Sequence, residues 1–130
     1  HGQIADVCWK LEIIAPVRIE KVQLCFHLDE SFYQVLDSKG NELKINRSRA
    51  GNNRHEVHEA TLSNDHYVFK RPEGQLTLDG RKLLFPFVQS VESSSQRALI
   101  SNFTWLPDPV LFEPGIHELG SIRIFFIPFS

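Results

Sequence analysis

The stretch "DVCWKLEII", residues 6–14, decides how the rest of the chain is read. Val7, Trp9, Leu11 and Ile13 alternate with Cys8, Lys10 and Glu12. A period of two marks a strand with one dry and one wet face, because successive side chains point to opposite sides. "KVQLCFHL", residues 21–28, repeats the pattern, with Val22, Leu24, Phe26 and Leu28 set against Lys21, Gln23, Cys25 and His27. Between them Pro16 suits the second position of a turn.

Two strands joined this closely are expected to pair as a hairpin. Centred on Pro16-Val17, the register matches Leu11 with Val22, Trp9 with Leu24 and Val7 with Phe26, all facing inward. It also sets Cys8 opposite Cys25 on the outer face. Paired residues lie roughly 4.5–5.5 Å apart at Cα, within disulfide reach. The competing reading is two free thiols on strands that are not neighbours.

Further strands follow along the chain: Phe32 to Leu36, a short one at Leu43 and Ile45, then residues 55–62, 66–70, 97–105 and 116–127. "QLTLDGRKLLFPF", residues 75–87, reads as a hairpin turning at Asp79-Gly80. Only residues 90–99 leave room for a short helical turn. About nine strands at this spacing, with little or no helix, predict an all-β fold: one domain over residues 1–130, an antiparallel two-sheet β-sandwich of jelly-roll or immunoglobulin-like type. Ten phenylalanines and two tryptophans supply the filling. The Cys–Trp–Cys spacing of true immunoglobulin domains is absent.

Residues 9–40, "WKLEIIAPVRIEKVQLCFHLDESFYQVLDSKG", resemble the early strands of discoidin or galactose-binding-like jelly rolls. "LFEPGIHELGSIRIFF", residues 111–126, resembles the closing strands of immunoglobulin-like domains. No ligand-binding signature carries over from either, and neither amounts to family recognition.

The formal net charge is −2, from 14 basic and 16 acidic residues, which gives no global pull toward nucleic acid or acidic membranes. No apolar run approaches the length of a membrane-spanning segment. The chain starts at His1 and has no methionine, which suggests a processed or excised chain. Together with a Cys8–Cys25 bridge, that favours an extracytoplasmic or secreted setting.

Chemistry is sought first in "NNRHEVHEAT", residues 52–61. His55 and His58 are three apart, whereas the helical zinc motif needs four, and on a strand they diverge. A metal-dependent enzyme using His1 or the His55, His58 and His66 region is therefore the outsider. No nucleophile elbow, phosphate-binding loop or dinucleotide fingerprint is present. The reading is non-catalytic, with no metal and no cofactor.

Two segments point to binding. Residues 44–55 carry Arg47, Arg49 and Arg54 beside His55, with no acid among them. Residues 102–115 hold Phe103 and Trp105 on a proline-stiffened segment. The expected function is an interaction module that grips a protein partner through an edge strand or the end loops. The alternative is a carbohydrate-binding sandwich using loop aromatics, and exposed Trp105, Tyr33 and Tyr67 beside a groove would favour it.

Overall fold

The computed structural model describes residues 2–43, 57–61, 66–93, 98–108 and 110–129. Twelve strands and no helix occur among the described residues. In order they are β1 (Gln3–Ile13), β2 (Val17–Ile19), β3 (Val22–Leu28), β4 (Gln34–Leu36), β5 (Glu42–Leu43), β6 (Val57–Thr61), β7 (Tyr67–Arg71), β8 (Gly74–Leu83), β9 (Val88–Ser93), β10 (Leu99–Trp105), β11 (Val110–Phe112) and β12 (Gly115–Pro128). They form a six-stranded sheet, β1-β12-β8-β7-β4-β5, a four-stranded sheet, β3-β10-β9-β6, and a two-stranded pair, β11-β2. All pairings are antiparallel.

One apolar cluster joins the two larger sheets, as in a β-sandwich. The six-stranded sheet contributes Val35, Tyr67, Phe69, Leu78 and Ile122, and the four-stranded sheet Val22, Leu24, Val91, Leu99 and Phe103. Each fully buried side chain of this kind contributes roughly 1.5–3 kcal/mol from removing apolar surface from water.

The expected hairpin of the first two long strands does not form. β1 pairs with β12 and β3 with β10, so the two strands lie in different sheets. Trp9 and Phe26 still face inward, but they meet across the sandwich, edge to face, with ring centroids 6.2 Å apart. Alternation fixes which face of a strand is buried and leaves its neighbour undetermined. The disulfide expectation falls with the hairpin. Cys8 stands opposite Ser121 and Cys25 opposite Asn102. Both thiols are free and exposed, on two sheets whose spacing of roughly 10 Å exceeds disulfide reach.

The Asp79-Gly80 turn is also corrected. β8 runs straight through both residues, and the register against β12 shifts there, as at a bulge. Asp79 Oδ1 accepts the backbone N–H of Arg81 at 2.9 Å, so the side chain performs its usual local bonding without reversing the chain. Gly80 is needed for packing: a Cβ at that position would sit 2.6 Å from the Phe103 ring of the opposite sheet. A second irregularity separates Trp9 from Lys10 opposite Gly120, which takes φ +91 with Lys82 O against its bare face.

Candidate functional site

Arg47, Arg49, Arg54 and His55 lie outside the described residues, as does His1. His58 falls on β6, opposite Val91 of β9 in register. Phe103 is fully buried, packed against Phe26 and Phe87 with centroids 6.1 and 5.4 Å away, and is a core ring. Trp105 is half-buried. It stacks on Phe85 at 5.1 Å and meets Phe112 at 6.1 Å. Tyr67 is buried, while Tyr33 is exposed at the opposite end from Trp105. Among the described residues no three His, Cys, Asp or Glu side chains gather as metal ligands. No helix there is long and apolar enough to cross a membrane.

The structure brings together residues of a different kind. β1 ends and β12 begins at the same end of the sandwich, with Ile13 opposite Gly115. β8 ends there too, with the N–H of Leu84 bonded to Leu119 O. The small β2-β11 pair closes over this end, tied down by Phe112, whose ring lies 5.3 Å from that of His117. The result is an open apolar end carrying Ile14, Val17, Leu84, Leu106, Leu111 and Ile116. Among the large described hydrophobic residues, the four most exposed are all here: Ile14 at 88%, Leu84 and Leu106 at 70%, and Ile116 at 64%. Beside them a shallow pocket of about 470 Å³ is lined by Pro86, Trp105, Leu106, Pro107, Asp108 and Phe112.

The sequence pattern points to this end only through Trp105 and leaves out its aliphatic residues, although a signal for them is there. A strand with one wet face buries only every second residue. Ile13-Ile14, Leu83-Leu84, Trp105-Leu106 and Leu111-Phe112 are apolar doublets at strand ends, and in each one member is exposed. At this end of the sandwich the doublet marks the surface, whereas Leu99-Ile100 at the start of β10 is a doublet with both members buried.

The outer face of the six-stranded sheet is built differently. Arg123 grips Asp6 through Nε and Nη2 at 2.9 and 3.1 Å. Arg81 grips Asp79 with Nη2 at 2.6 Å from Oδ2. The Arg123 hydrogen bond holds the Asp6 carboxyl below its usual range. Burial opposes ionisation of Asp79, but the side-chain and backbone hydrogen bonds of Arg81 outweigh it and the carboxyl titrates low. His66 stands beside this cluster, where Asp79, Arg81 and Arg123 line a cavity of about 340 Å³. The charges satisfy one another, as on a solvated sheet face.

Comparison with known proteins finds no matching family model, no matching curated protein and no matching solved structure.

Proposed function

We propose that the chain is a non-catalytic interaction module that binds a protein partner through its open apolar end. One observation carries the reading: the four most exposed large hydrophobic residues described all stand at strand ends on this side of the sandwich, and one of them, Leu106, borders the half-buried Trp105. Such patches cost solubility, and their usual role is contact with another protein. Covering several aliphatic side chains at roughly 25 cal/mol per Å² opposes the entropy lost on association. Pro86, Pro107 and the β2-β11 pair hold the end stiff, so little ordering remains to be done on binding.

The edge-strand route has less support. β1 has one neighbour in its sheet, but Asp6, Lys10 and Glu12 and a bulge guard it, the usual protection against an added strand. The loop-aromatic sugar platform is weakened because Phe85 covers one face of the Trp105 ring. Of the two sandwich types expected, the in-sheet hairpins β7-β8 and β9-β10 support the immunoglobulin-like one, since consecutive jelly-roll strands mostly cross between sheets.

The test is a quantitative pull-down from the organism that makes the protein, run with the wild type and with Leu111→Asp/Ile116→Asp. A partner captured in stoichiometric amount by the first and lost from the second supports the proposal. Equal capture by both refutes it.

A further inference from the structure

A second surface goes beyond the open end. We infer that the outer face of β3, β10 and β9 holds a binding groove for a neutral saccharide, centred on Asn102. The groove encloses about 510 Å³ and is lined by Lys21, Gln23, Val88, Ser90, Glu92, Asn102 and Thr104, with Pro86 and Leu106 at its lip. That volume is in the usual range for small-ligand sites, roughly 300–1,000 Å³.

Register explains how these residues meet. Asn102 faces Cys25 on one side and Ser90 on the other, and Thr104 faces Gln23 and Val88. They lie on the face turned away from the core, because their neighbours Ser101 and Phe103 are fully buried inside. An outward residue on a sheet is ordinarily wet. Asn102 is only 3% exposed, and Ser90 only 7%. The Asn102 amide donates from Nδ2 to Glu92 Oε1 at 3.2 Å, while its Oδ1 has no hydrogen-bond partner among the described residues. A buried carbonyl left without a donor costs roughly 1–3 kcal/mol. A ligand hydroxyl would supply that donor once a small rotation of the Asn102 amide brings the Oδ1, closed to solvent as it stands, to the groove. The same bonding decides another question: Asn102-Phe-Thr104 has the form of a glycosylation sequon, but its amide nitrogen is engaged by Glu92 on a nearly buried side chain.

The lining selects the ligand class. Acceptors are the Asn102 carbonyl and the Glu92 carboxylate. Donors are the Lys21 ammonium, the Ser90 hydroxyl and the Gln23–Thr104 pair, itself bonded at 3.0 Å. Among the described lining residues one cation, Lys21, and one anion, Glu92, balance, which favours a neutral ligand over a phosphate. Groups that both donate and accept suit such a lining, and adjacent sugar hydroxyls do so. Val88, Pro86 and Leu106 offer apolar contact to the C–H side of a ring.

The experiment is an amide-detected NMR titration of the folded chain with soluble gluco-, manno-, xylo- and galacto-oligosaccharides at millimolar concentration. Saturable shifts at Gln23, Ser90, Glu92 and the Asn102 side-chain amide with at least one of them are expected. Glu92→Gln and Thr104→Ala, both at partly exposed positions, should then weaken that sugar about fivefold or more without lowering the melting temperature. Loss of affinity only in variants that also melt early would overturn the inference. So would the absence of shifts with every sugar, or shifts confined to Trp105 and Phe112. The protein-partner reading stands or falls separately, on Leu111 and Ile116.

Discussion

The two ends of the sandwich differ in degree: the Arg71 end leaves Tyr33, Phe129 and Ile127 exposed at 58, 47 and 38%, whereas the other leaves four aliphatic side chains at 64% or more. At one end Arg71 lies over two rings, with its guanidinium carbon 5.4 Å from the Phe32 centroid and 4.8 Å from that of Phe126. Glu73 pairs with the same arginine at 3.3 Å, and its carbonyl takes the N–H of Phe129. A charged cap thus covers the aromatic edge of the core. At the other end Ile14, Leu84, Leu106 and Ile116 have no such cover and are the most exposed large hydrophobic residues described. On the proposed reading, the contrast separates a surface that serves folding from one that serves binding.

The comparison predicts a double dissociation. The largest effect is expected from Phe32→Ala at the capped end. It removes a buried ring packed against Phe69 and should cost about 3–5 kcal/mol in urea unfolding, with partner binding unchanged in the remaining folded protein. Next comes Leu111→Asp/Ile116→Asp at the open end. It should weaken partner binding by roughly 2 kcal/mol or more and leave the unfolding midpoint nearly unmoved, as surface changes usually do. If the midpoint falls as far as it does for Phe32→Ala, the open end is structural and the contrast is broken. Arg71→Ala is smaller: loss of the cation–ring contacts should cost about 1–2 kcal/mol of stability and no binding, read by thermal melting.

The smallest effect concerns the charged face between the two ends. Asp6 and Asp79 titrate below the ordinary 3.8 when folded. Near and below that pH the unfolded chain therefore holds more protons than the folded one. The contribution is fully present above pH 3.8 and is lost as pH falls through the depressed folded values. Asp79→Asn should cost no more than about 1 kcal/mol at neutral pH, because its partner is mostly in water, and should flatten the stability loss below pH 4. An unchanged acid limb would contradict the role given to Arg81.

Much of the fold was legible, and the failures share one cause. Alternation in residues 6–14 and 21–28 identified two strands and their inner faces correctly. It could not say that β12, more than a hundred residues away, would take the place of β3 beside β1. Long-range pairing depends on which sheet each strand joins, and period two is the same in either. Asp79-Gly80 failed for a related reason: the dipeptide has the local chemistry of a turn, but the Phe103 ring from the opposite sheet needs the missing Cβ. The site was less legible. Trp105 borders the open end because it is the last residue of β10, whereas Phe103, on the same face two residues earlier, lies deep in the core. The groove at Asn102 leaves no trace in a one-dimensional pattern, since an outward asparagine looks solvated until its burial is seen.

The most direct test of the central claim is site-specific photocrosslinking in the native host. A photoreactive phenylalanine would be placed at Leu111 in one strain and at Glu73, at the capped end, in another. A discrete protein adduct from position 111, and none from position 73, is the result predicted. Adducts from position 73 alone, or no adduct from position 111, would contradict it.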